Sequence, residues 1–247
     1  MPKVIFKKMS LEANINNIKW MYFSGDDNLS FKSSVINYFP DLKDIDSNMS
    51  KEEIETKIEE LIQECYGYSE NKLDEEVKRY NEIWKEYNNN YFEALGRYLN
   101  MEWPSDKNEI IAGVGLIPIF PRYLDSFSFD LSYGLDKEKV VEVTAHETLH
   151  FLWFNKWKRL FPNFKREEFD YPHIIWEYSE MVTDPILNSK EINKVINIEE
   201  KAYDYFYELK LNNVSLMKML KEIYESTKPI EEKMIEGFEV AKKFIKK

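Results

Sequence analysis

His146-Glu147-Thr148-Leu149-His150 is the stretch on which the reading of this chain turns. The chain holds three histidines, and two of them stand here, four residues apart. On a helix, positions i and i+4 share a face, so both imidazoles can reach one metal ion. Glu147 lies beside that face, where its carboxylate can meet a water on the metal without itself binding the metal. The flanks favour a helix. Val140, Val141, Val143, Ala145, Leu149, Phe151, Leu152 and Trp153 make the segment strongly apolar. Asp136 suits the N-cap with Glu138 in the first turn, and Pro162 bounds the far end. If these histidines served only as core residues, polar groups would be buried without partners, which is costly.

Upstream, residues 126–133 alternate without a fault. Ser126, Ser128, Asp130 and Ser132 face one way and Phe127, Phe129, Leu131 and Tyr133 the other, the pattern of a half-buried strand. Residues 109–120 are a near-continuous apolar run with Gly113 and Gly115, expected as a buried strand whose end Pro118 moves to an edge or bulge. Residues 3–7 and 18–23 read as short strands from their β-branched and aromatic content, and Ser24 to Asn28 as a loop. Residues 50–66 have helical spacing, with Ser50 as N-cap and Glu53 three residues on, a capping box. Residues 70–100 read as a long helix whose apolar face recurs every three or four residues from Leu73 to Tyr98. Downstream, a second helix is expected from near Pro172 to about Asp184. Residues 190–247 read as further amphipathic helices, with Ser215 as an N-cap and Lys242, Lys243, Lys246 and Lys247 suiting a helix C-terminus.

Composition bounds the answer. The 247 residues give room for a sizeable core and one or two domains. A hydrophobic content of 43%, with 15% aromatics, is globular rather than disordered. Only seven glycines argue for many helices and few tight turns. The formal net charge of −11 argues against nucleic acid or an anionic membrane as main partner and otherwise serves solubility. A single cysteine, Cys65, forbids an internal disulfide and suits a reducing compartment. Its neighbours Glu64 and Tyr66 offer no cation to activate the thiol. No apolar run reaches membrane-spanning length and the N-terminus lacks a signal-peptide core, so a cytoplasmic location is expected.

Two histidines leave a catalytic zinc site short of a third protein ligand, with one position kept for water. After His150 there is neither the glycine nor the third histidine of the metzincin extension. His173, at the start of the second helix, is one candidate. Glu177, Glu180 and Asp184 share a face of that helix. Here Ser179-Glu180-Met181-Val182-Thr183-Asp184 resembles the gluzincins, the zinc peptidases with a glutamate third ligand such as the thermolysin group. Their second helix carries a glutamate followed four residues later by an aspartate. The resemblance spans roughly residues 126–187. It implies a Zn2+ ion held by His146, His150 and Glu180. It also implies that Asp184 accepts a hydrogen bond from the free ring nitrogen of His146, which would fix the tautomer of that ring. Two departures stand out. The stretch between His150 and Glu180 is longer than in that group, and Pro185 directly follows Asp184, disfavouring α geometry there.

Together these readings predict an α+β fold, mostly helical. A small mixed β-sheet would present residues 126–133 as an edge strand packed on a zincin-like helix pair. Residues 1–104 would form a mainly helical N-terminal subdomain, and residues 105–247 the metal-binding region with its C-terminal helices. The expected activity is peptide-bond hydrolysis, with Glu147 as general base. Its substrate would be a peptide or protein segment in extended conformation, paired with the edge strand. A neutral donor must hold the oxyanion; His173 fits, and Tyr171, Tyr178, Tyr203 and Tyr205 are further candidates. Glu177 is expected near the metal or bonded to a ligand. Two alternatives are a non-catalytic binding module with structural zinc and a zinc hydrolase of another amide or ester. Glu147 favours catalysis, because a structural site has no use for it. The oligomeric state stays open.

Overall fold

Local end signals place the longest helices. The amide of Ser50 donates to Glu53 Oε2 at 2.7 Å, and the amide of Glu53 to Ser50 Oγ at 3.2 Å, so the capping box forms as read. The structure, a computed structural model, describes residues 1–24, 31–43, 45 and 48–245. The loop expected at Gly25 to Asn28, and Lys246 and Lys247, lie outside the described residues. In chain order the elements are β1 (Lys3–Lys8), α1 (Leu11–Phe23), α2 (Phe31–Tyr38), α3 (Lys51–Lys85), α4 (Asn88–Tyr98), β2 (Glu109–Gly115), β3 (Arg122–Tyr123), β4 (Ser128–Ser132) and α5 (Lys137–Leu160). There follow α6 (Ile174–Met181), α7 (Thr183–Leu187), α8 (Lys190–Ile196), α9 (Asp204–Glu208), β5 (Lys210–Leu211), β6 (Val214–Ser215), α10 (Leu216–Glu225) and α11 (Ile230–Ala241). The chain is mostly helical with a small mixed sheet, an α+β fold. Among the described residues no helix is long and apolar enough to cross a membrane.

Two compact units result. One comprises Lys3–Lys85 and Glu109–Val140; the other comprises Met1–Pro2, Glu86–Asn108 and Val141–Lys247. Each gathers separate stretches of chain, so neither coincides with residues 1–104 or 105–247.

The first unit carries the four-stranded sheet, in the order β1-β2-β4-β3. β1 and β4 both run parallel to β2, while β3 is antiparallel to β4. β2 lies between two strands and reads as a continuous apolar run, with Ile110, Ala112 and Val114 fully buried. β4 is not the edge strand expected. The Arg122–Tyr123 pairing closes its outer side at Ser128 and Phe129, and the amide of Asp130 donates to the carbonyl of Pro121. A second correction concerns residues 18–23, which belong to helix α1 rather than to a strand. Asn14, Ile18, Met21 and Tyr22 are its buried positions, a helical period that outweighs β-branched and aromatic content. Helices α1, α2 and α3 enclose the core of this unit through Ile18, Met21, Val35, Ile58 and Ile62, with Leu116 and Ile117 beneath them.

One partly buried carboxylate in this unit gives a pH test. Asp130 Oδ2 accepts from Asn17 Nδ2 at 2.9 Å and from the Tyr123 hydroxyl at 3.1 Å. Burial raises its pKa, and the two hydrogen bonds only partly oppose that. The folded protein therefore holds this proton more tightly than the unfolded chain. Ionising Asp130 costs stability as pH climbs from the unfolded value, about 3.9, through the folded one. Asp130→Asn keeps an acceptor for Asn17 and removes that loss. In urea unfolding the variant is expected to gain on the wild type as pH rises above about 4; a constant difference would refute this.

Candidate metal centre

Helix α5 starts where its cap is written, with the amide of Lys139 donating to Asp136 Oδ1 at 2.7 Å. Its middle turns are apolar on nearly every side, so the helix is buried and the two histidines are carried inward. The Tyr91 hydroxyl donates to the carbonyl of Ala145 at 2.6 Å and pins the turn just before His146. The ring of His150 is fully buried and stacks near Phe154, with centroids 6.0 Å apart and planes 27° apart. The His146 side chain keeps 21% of its surface, so solvent reaches the cluster from that ring.

Helix α6 is set against α5 by aromatic packing. Tyr178 meets Trp153 and Trp157 edge-on at 5.7 and 5.9 Å. Its hydroxyl bonds to that of Tyr224 at 2.9 Å and donates to the carbonyl of Met234 at 3.0 Å. Tyr178 is thus wholly occupied in the core and unsuited to holding an oxyanion. With its position fixed, Glu180 two residues later is fixed too, 2% exposed, its carbonyl bonded by Thr183 Oγ1 at 2.8 Å.

These helices bring His146, His150 and Glu180 together. The two Nε2 atoms lie 3.1 Å apart; Glu180 Oε2 is 3.2 Å from Nε2 of His146, and Oε1 is 3.5 Å from Nε2 of His150. A tetrahedral ion with bonds of about 2.0–2.1 Å separates its ligand atoms by about 3.3–3.4 Å. Two imidazole nitrogens and a carboxylate at these spacings could hold a metal ion. Glu147 is 5% exposed and adds its charge to the cluster. Burial pushes the His146 pKa down, but the carboxylates of Glu200, Glu180 and Glu147 together outweigh it and hold the ring well above its usual value. That field attracts positive charge to this spot, whether proton or metal.

Asp184 does not take the place beside His146 expected of it. Helix α6 ends at Met181 with Val182 as its C-cap, and Asp184 belongs to the short α7, so the two acids lie on separate helices. Asp184 accepts from Asn188 Nδ2 at 2.7 Å and from the Tyr207 hydroxyl at 2.6 Å, and pairs with Lys221 Nζ at 3.2 Å. Pro185 sits in the first turn of α7, where a missing amide hydrogen costs nothing, and so starts a helix instead of ending one. The partner of His146 Nδ1 is Glu200, at 2.7 Å, in the segment between α8 and α9. Sequence reasoning missed it. Glu199-Glu200-Lys201 looks like a solvated charge run, and only the fold shows Glu199 outward and Glu200 buried at 3%. Glu177 is half-buried in the first turn of α6, outside the three-residue cluster. His173 is the exposed N-cap of α6, and its ring makes no hydrogen bond or ion pair among the described residues. Compared with protein-family models, with curated proteins and with solved structures, the chain finds no match.

Proposed function

We propose that this chain is a zinc-dependent peptidase of gluzincin type. The observation that carries the reading is the close triangle of His146 Nε2, His150 Nε2 and a Glu180 oxygen, with Glu147 next to it on the same helix. Zinc would lower the pKa of a water molecule it holds to about 7 and polarise the carbonyl under attack. Glu147 takes the proton of the attacking water and later passes it to the leaving amine. His173, with an uncommitted ring ahead of Glu180 on the same helix, is the proposed donor to the oxyanion. Glu177 is proposed to support the site from the turn between them. The substrate is a peptide or protein segment in extended form, whose carbonyls are not tied up in a helix or sheet of its own. The single cysteine suits a cytoplasmic setting.

Purified protein, dialysed with zinc, is expected to retain one ion per chain. It should release fluorescence from a quenched peptide library, lose that activity to a chelator and regain it with added zinc. Absence of zinc uptake on titration would sink the proposal. Zinc uptake with no turnover of any peptide or simple ester would move the reading to a non-catalytic module with structural zinc.

A further inference from the structure

We infer that Glu200 is the positioning residue that makes His146 a metal ligand, and that Asp184 acts on the site only through it, by way of Asn188. This rests on the metal-binding reading above. A neutral imidazole carries its proton on one nitrogen or the other, and only the bare nitrogen can bind a metal. With Nδ1–H donated to Glu200 Oε1 at 2.7 Å, the lone pair is left on Nε2, the atom that faces His150 and Glu180. A carboxylate does this better than a neutral acceptor, because the hydrogen bond is charge-assisted and makes the ring more basic.

Glu200 is placed for this one contact. Among the described residues, His146 alone hydrogen-bonds its carboxylate, and Oε2 is buried without a hydrogen bond. Leaving a carboxylate oxygen so buried is costly unless positive charge lies close by, which is what a cation on the far side of the ring would supply. The backbone of Glu200 is gripped at both ends. Its amide donates to Asn188 Oδ1 at 3.0 Å, and its carbonyl accepts from Asn188 Nδ2 at 2.8 Å. That same Nδ2 donates to Asp184 Oδ1, so Asp184 sets the orientation of the Asn188 amide. Tyr207 closes the knot, donating to Asp184 Oδ2 while its oxygen accepts from the amide of Ala202 at 3.2 Å. A segment with no regular structure is thereby held firmly enough to aim one carboxylate at one ring nitrogen.

The test is zinc affinity of the full chain, measured by competition with a chromophoric chelator, together with the downfield proton resonance of an imidazole Nδ1–H in the zinc-loaded protein. Glu200→Ala is expected to weaken binding by about 10–100-fold and to lose the resonance. Glu200→Gln keeps an acceptor oxygen. It should recover most of the affinity and restore the resonance at a higher field, a rescue that a merely structural role for Glu200 does not predict. Asn188→Ala should weaken zinc binding in the same direction as Glu200→Ala. A Glu200→Ala protein that binds zinc as tightly as the wild type overturns the inference and leaves the zinc reading intact, whereas a wild type that takes up no zinc overturns both. If Glu200→Ala does not fold, Glu200→Gln decides alone: wild-type affinity with an unmoved resonance overturns the inference.

Discussion

Replacing His146 or His150 by alanine is expected to abolish tight zinc binding. Each removes one of the three ligands proposed, and the remaining pair would not hold the ion against water and buffer. Glu180→Ala should do the same, because the Glu180 carboxylate reaches both Nε2 atoms. Glu177→Ala and His173→Ala provide the contrast. Neither residue belongs to the cluster, so both variants should bind zinc far more tightly than the other three. Competitive titration ranks all five, with circular dichroism to confirm that each protein is folded. That check matters most for His150, whose buried ring packs on Phe154. Loss of binding in Glu177→Ala with retention in Glu180→Ala would place the third ligand one turn earlier and refute the site described here.

Glu147→Gln is expected to keep its zinc and lose turnover by about 10²–10⁴-fold, the usual worth of a general base. The substitution preserves shape and hydrogen-bonding capacity in a position that is 5% exposed, so the fold has little reason to change. What it removes is the ability to take a proton. Peptide hydrolysis and zinc content are measured on the same preparation. Unchanged turnover would rule out Glu147 as the base, and zinc lost together with activity would make it a ligand or a structural acid instead.

Much of this was legible because it is local. The capping box at Ser50 and Glu53, the Asp136 cap and the four-residue spacing of His146 and His150 each depend on a single turn of chain. Glu180 stood out through its four-residue spacing from Asp184, and the fold brings it into the cluster although Asp184 goes elsewhere. The misreadings share the opposite property. Residues 18–23 were judged on residue type rather than on the period that starts back at Asn14. The two-residue β3 is too short to show any alternation, yet it covers β4. Helix α3 runs unbroken through Gly67 to Lys85, joining what read as two helices, and the break falls instead before Asn88. Glu200 lies 54 residues from the histidine it serves and carries no periodic signal. Asp184 had the right spacing, but a helix boundary at Val182 sends it to another set of partners.

That boundary bears on how rigidity reaches the cluster. The two imidazoles are borne inside a 24-residue helix, where opening requires many hydrogen bonds to break together. The carboxylate stands near the end of an eight-residue helix, where the ladder of hydrogen bonds is short. Its hold comes from burial instead: Met181, Val182 and Thr183 are fully buried, and Thr183 Oγ1 bonds the carbonyl of Glu180. The cluster thus joins two kinds of stiffness, a cooperative helix under the rings and close packing under the acid.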